Sequence, residues 1–222
     1  MDESPHYLPL FLDLRQRACL VIGANEEALV KTGALIAAGA QVTLLALELE
    51  GELLALAEEG ALAWRREPFT PEMLDDVWFV LCADDNPELH MRLSRVCAQR
   101  RIFLNVVDRK THCSAIWPAL VDRHPVVAAL TTGGASPALS SWLRRRLQQA
   151  IPEGVDALAQ WLSAWRARVA KQRSTFALRA RFWREAFEQD KIPELYLEGR
   201  IQEADALLKQ RLEGSEDGRK PT

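Results

Sequence analysis

Five stretches of this 222-residue sequence carry side chains that can do chemistry, and each follows an apolar run. Gly23-Ala24-Asn25-Glu26-Glu27-Ala28 follows the run 18–22 (ACLVI). A turn of this kind, opening a helix, can hold a dinucleotide pyrophosphate on backbone N–H groups. A full GxGxxG pattern would place glycines at 23, 25 and 28. Only Gly23 is present, and two carboxylates stand where an anion would sit, so a turn without nucleotide affinity is the alternative reading. Leu47 and Glu48 follow the run 41–46 (QVTLLA), about 20 residues past the glycine, where the ribose-binding acid of NAD enzymes lies. Glu48 can accept from a ribose hydroxyl and would repel a 2′-phosphate. It can equally be a solvated residue opening a Glu-rich helix. Ala83-Asp84-Asp85 ends the run 77–82 (VWFVLC), with Asp85 a candidate N-cap for the next helix. Asp108 ends the run 102–107 (IFLNVV). A lone carboxylate there suits a general base or a metal-facing group, or simply caps a loop. Thr131-Thr132-Gly133-Gly134-Ala135-Ser136-Pro137 is a hydroxyl-rich loop before a helix, a setting for a carboxylate or phosphate.

Other chemistries find less support. His6, His90, His112 and His124 lack metal-ligand spacing, and His112-Cys113 is too close for two ligands on one ion, so no permanent metal site is expected. Cys19, Cys82, Cys97 and Cys113 form no CxxC pair and read as free thiols of a reducing compartment. The acidic N-terminus and the lack of an 18-residue apolar run argue against a signal peptide or a membrane span, so a cytoplasmic protein is expected. The formal charge is −3, yet residues 144–184 hold ten Lys or Arg against Glu153 and Asp156 alone. That asymmetry fits a small polyanion or the solvated face of amphipathic helices. Nucleic acid is disfavoured, because the rest of the chain is acidic and no recognition motif or aromatic strand platform is present.

The elements that position these groups alternate. Buried strands at 18–22, 41–46, 77–82 and 102–107 are interleaved with helices near 26–38, 50–59 and 87–100. This predicts an α/β fold with a Rossmann-like parallel sheet. Two strand-like segments follow, Ser114–Leu120 and Val126–Thr131, separated by a turn over Val-Asp-Arg-His-Pro. Ser136 is a candidate N-cap with Pro137 at the first helical position. From there the chain reads as helices at about 137–151, 154–172, 175–190 and 200–213, broken at 152–154 and at Ile192-Pro193. The expected organisation is a Rossmann-like domain over 1–113, a strand-rich dimerisation segment over 114–150 and a helical domain over 151–222.

In CLVIG, AAGAQVT, CADDN, RRIFLNVVD, IWPALVDRHP, TTGGASPAL, RVAKQR and RARFWREAF, in that order, the chain resembles the N-terminal module of siroheme synthase, the precorrin-2 dehydrogenase and sirohydrochlorin ferrochelatase family. The resemblance runs from Leu8 to about Phe187. It implies a homodimer in which the strands after the Rossmann-like domain intertwine. It also implies NAD as cofactor, a tetrapyrrole substrate and ferrous iron as a second substrate. Asp108 would be the catalytic carboxylate. NAD contacts would fall on Gly23, Ala24, Asn25, Glu26, Glu27, Leu47, Glu48 and Asp84. The tetrapyrrole would meet Asn105, Thr132, Gly133, Gly134 and Ser136, with Thr132 at the family's phosphorylatable hydroxyl. The family's glycine loop, GGG followed by x-V-A-x-R-K, is altered here. Asn25 and Glu27 replace a glycine and the valine, so weak NAD binding is expected, improved by restoring both. The alternative function is a member without the redox step, acting as a chelatase or tetrapyrrole-binding protein.

Overall fold

Runs of Val, Leu, Ile and Phe with few polar interruptions build one parallel sheet. Its strands are β1 (Ala18–Ile22), β2 (Gln41–Leu45), β3 (Ala63–Arg65), β4 (Val77–Cys82) and β5 (Phe103–Val106), in the order β3-β2-β1-β4-β5. The computed structural model describes residues 6–214 and divides into two units, Met1–Trp117 and Pro118–Thr222. Alternate side chains of the strands feed two cores. Cys19, Val21, Val42, Leu44, Phe79 and Leu81 enter one, and Leu20, Ile22, Leu45, Val80, Cys82, Leu104 and Val106 the other. Both faces are therefore covered, which is why the strands read as continuous apolar runs rather than alternating ones. Helices α1 (Glu26–Ala37) and α2 (Gly51–Glu58) close the first core through Ala28, Leu35 and Leu53. Helix α3 (Pro87–Arg100) closes the second through Leu93 and Cys97. This is the Rossmann-like arrangement expected from the sequence.

The second unit opens with an antiparallel pair, β6 (Ala119–Arg123) and β7 (Val126–Leu130), turned at His124-Pro125. The strand expected from Ser114 begins only at Ala119. Residues 114 and 115 are instead drawn back onto β5, where their amides donate to the Leu104 carbonyl at 2.9 and 3.0 Å. The turn is also tighter than expected, because Val121, Asp122 and Arg123 continue the ladder. Four longer helices follow: α4 (Pro137–Ala150), α5 (Val155–Gln172), α6 (Phe176–Glu188) and α8 (Ile201–Glu213). Between α6 and α8 lies a helix absent from the sequence reading, α7 (Ile192–Leu197). Pro193 occupies its first turn, where the missing N–H has no intrahelical partner to lose, so it starts a helix rather than breaking one. Trp165, Val169, Phe182, Ile192, Leu195 and Leu208 form the core of these helices. Two of the basic residues in the arginine-rich stretch are structural. Arg173 Nη2 donates to the carbonyls of Arg211, Leu212 and Gly214 at the end of α8, and Arg179 Nη1 to those of Arg173 and Ser174. No described helix is long and apolar enough to cross a membrane.

Candidate functional site

Parallel strands bring their carboxyl ends to one edge, so the loops after β1, β2, β4 and β5 share it. Gly23 follows β1 with φ +102°, and a Cβ there would stand 2.9 Å from the Ala83 carbonyl carbon and 3.1 Å from the Asp84 amide. Only glycine lets the first turn press against the end of β4. Asn25, next but one, is not a vacant glycine position. Its backbone is extended (φ −81°), its Oδ1 accepts from the Ala28 amide at 3.0 Å, and its Nδ2 donates to the Ala83 carbonyl at 2.8 Å. It is the N-cap of α1 and a cross-link to β4 at once. Ala28 is fully buried against the sheet, a near approach that the third glycine of the full pattern would serve.

The charges of this loop are also rearranged. Glu27 pairs with Lys31 one turn along α1, and the Lys31 side chain is only 10% exposed. One of the two carboxylates is thus neutralised within the helix, and Glu26 alone faces solvent unpaired among the described residues. Asn25 takes the Ala28 amide, while the other first-turn amides of α1 have no intrahelical acceptor. Their dipole ends still favour an anion. The glycine cradle, these amides and the paired Glu27 fit a dinucleotide. The expectation that glycine at 25 and valine at 27 would strengthen binding loses its basis here. The first change removes a cross-link and the second strands a nearly buried ammonium.

Leu47 and Glu48 lie past β2 and are both exposed, Leu47 at 80%. Asp84 folds its Oδ1 onto the Asn86 amide at 2.8 Å, and its carbonyl meets Nε2 of the buried His90 at 2.6 Å. The N-cap of α3 is Asn86, whose Oδ1 accepts from Glu88 and Leu89, and not Asp85. Asn fits because Pro87 then occupies the first helical position.

Asp108 lies at the end of the β5 loop, exposed, with φ +55°. A left-handed backbone is uncommon outside glycine, and aspartate tolerates it better than most residues. No hydrogen bond or ion pair engages its carboxylate among the described residues, so it caps nothing there. Asn105, expected to touch substrate, is 5% exposed and donates to the Ala115 carbonyl at 3.0 Å. Its amide holds segment 113–115 against β5 and belongs to the packing.

In the second unit, Ser136 caps α4 by accepting from the Leu139 amide at 3.2 Å, with Pro137 in the first turn, as the sequence indicates. Thr132 is half-buried, and its hydroxyl lies 2.9 Å from that of Ser140 on the second turn of α4. Gly133 and Gly134 both have positive φ, turning the loop back toward the helix. Among the described residues no group of three His, Cys, Asp or Glu could hold a metal ion.

A family described as putative NAD(P)-binding matches residues 10–119, and one described as the sirohaem synthase dimerisation region matches residues 154–212. Siroheme synthase of Sodalis glossinidius is 39% identical over 213 residues, covering 96% of this chain and 45% of the relative. Siroheme synthase of Nitrosospira multiformis is 42% identical over 212 residues, covering 94% of this chain and 45% of the relative. The chain thus spans about half the length of the curated relatives it matches. The solved structure of SirC, precorrin-2 dehydrogenase, superposes with a TM-score of 0.70 at 20% identity, over 92% of this chain and all of that one, a likeness of fold. With both regions matched in tandem, the chain joins a putative NAD(P)-binding region to a sirohaem synthase dimerisation region and is similar to siroheme synthases along nearly its whole length.

Proposed function

We propose that this protein oxidises precorrin-2 to sirohydrochlorin with NAD as cofactor, that it works as a homodimer, and that ferrous iron enters as a second substrate. The observation that carries the reading is Asp108. It is an exposed carboxylate without a partner among the described residues, held in an uncommon backbone conformation at the edge where the glycine turn lies. Precorrin-2 oxidation removes a hydride and a proton from the macrocycle, and iron insertion displaces two protons from ring nitrogens. NAD, when bound, supplies the hydride acceptor. Asp108 takes the protons as general base, a role that contributes about 10²–10⁴-fold. It is exposed and carries no hydrogen bond among the described residues, so its oxygens are open to a bound substrate. Gly23 and the first turn of α1 hold the pyrophosphate, and Glu48 meets the ribose. In the second unit, Thr132, Gly133, Gly134 and Ser136 form a hydroxyl-bearing loop ahead of α4, a setting that suits a carboxylate.

The test is anaerobic turnover of precorrin-2 with NAD⁺, following sirohydrochlorin by its absorbance, for the parent protein and Asp108→Ala. We expect turnover by the parent and a loss of at least 100-fold in the variant, with an unchanged melting temperature. Equal rates with a lowered melting temperature would assign Asp108 to the fold alone.

A further inference from the structure

The exit of β3, beside the loop after β2, holds a cation that the sequence pattern does not reveal. Residues Trp64, Arg65 and Arg66 close β3 and its exit, and β3 pairs in parallel with β2 so that Leu45 stands opposite Arg65. Three contacts bind this exit to the loop after β2. The Ala46 amide donates to the Arg65 carbonyl at 3.3 Å, the Trp64 indole Nε1 donates to the Ala46 carbonyl at 3.0 Å, and the Arg66 guanidinium lies over the Trp64 ring at 4.1 Å. Trp64 packs on the core covered by α1 and α2, and Arg66, two residues on, falls on that same side of the sheet. Arg65 is already paired with Glu67. Arg66 has no carboxylate partner among the described residues. Arg66 is exposed, with its guanidinium resting on the Trp64 ring.

We propose that Arg66 is a specificity-determining residue for the cofactor, meeting the 2′ side of the adenosine ribose and giving this chain affinity for the 2′-phosphorylated dinucleotide, NADP, beside NAD. This rests on the dinucleotide reading above. Glu48, on the loop past β2, favours a ribose hydroxyl and opposes a phosphate. By sequence alone it would exclude NADP. An arginine from the neighbouring strand changes that balance, because a guanidinium matches a phosphate through paired N–H donors. Stacking on Trp64 pre-orders the side chain, so less conformational freedom is lost when an anion arrives. Glu48 and Arg66 together thus describe a site open to both forms, with the acid serving the hydroxyl and the arginine the phosphate.

The experiment is equilibrium binding of NAD⁺, NADP⁺ and 2′,5′-ADP to the full chain at low ionic strength, by calorimetry, for the parent, Arg66→Ala, Arg66→Lys and Glu48→Gln. We expect the parent to bind all three. The ratio of NADP⁺ to NAD⁺ affinity should fall at least tenfold in Arg66→Ala, fall less in Arg66→Lys, and rise in Glu48→Gln. Parent binding of NAD⁺ without NADP⁺ or 2′,5′-ADP overturns this inference and leaves the dinucleotide reading standing. An unchanged ratio in Arg66→Ala also overturns it. Binding of none of the three by the parent overturns both. A melting curve for each variant separates loss of the site from loss of the fold.

Discussion

At the scale of residues, the glycine turn was only partly legible in the sequence. Gly23 stands out by its place after an apolar run, and the structure gives it the close approach to β4 that demands glycine. Asn25 and Glu27 read as losses because a motif counts glycines and not partners. The Asn25 bond to Ala83 spans 58 residues, and the Glu27 ion pair matters only because Lys31 is buried. Neither fact is visible along the chain. Glu27→Val should therefore lower stability by about 1–2 kcal/mol, since an almost buried ammonium loses its partner while the exposed side of the pair is screened. Asn25→Gly should cost about 1 kcal/mol more through the hydrogen bond to Ala83. Urea unfolding of the double variant beside an NAD⁺ titration checks both. The expected outcome is a lower midpoint with no gain in affinity. Tighter binding at unchanged stability would return the loop to the reading by glycine count. Arg66 escaped notice for a related reason, because cross-strand register had to bring it beside the loop of Glu48.

At the scale of elements, sequence reading succeeded where local signals agree. Strand β4 is six apolar residues between polar turns, and α3 starts at a proline and carries a clear apolar stripe, so both lie where the pattern puts them. It failed where one residue type has two uses. Pro193 opens α7, and Ser114 and Ala115, at the start of a stretch with strand-like composition, are claimed by β5. The cysteines show how elements set chemistry. Burial raises the thiols of Cys19, Cys82 and Cys97 to about 11. Cys113, half-buried beside β5, is also raised by burial, offset by its hydrogen bond to the Val106 carbonyl. Raised values keep these thiols protonated, and thiolate is the reactive form. At pH 8 a disulfide reagent should modify no more than one thiol per native chain, Cys113, and all four after unfolding. Rapid modification of two or more in the native state would contradict this packing.

At the scale of the whole molecule, the second unit is unevenly filled. The helices α5 to α8 share a core, yet α4 has no buried residue, and in the β6–β7 pair Val121 alone is buried. Leu139 and Trp142 of α4 stay 44% and 47% exposed. A lone two-stranded pair is marginal in water, so its apolar faces favour association. Sedimentation at micromolar concentration should give about twice the 25.0 kDa chain mass. A monomer there, with the hairpin protected from amide exchange, would rule out the homodimer.

The outer side of β5 has a consequence of its own. An edge strand usually offers a ladder of open amides and carbonyls, a template on which another chain can continue the sheet. Here Leu104 is engaged on both groups by Ser114, whose hydroxyl accepts from its amide at 2.9 Å and whose own amide donates to its carbonyl. The next outward residue, Val106, gives its amide to the Cys113 sulfur at 3.2 Å. At the opposite edge β3 is only three residues long. The sheet is therefore sealed on one side and stunted on the other, a guard against runaway strand-to-strand aggregation while the protein is made. Replacing Ser114 with alanine would free the Leu104 amide and open part of that guard.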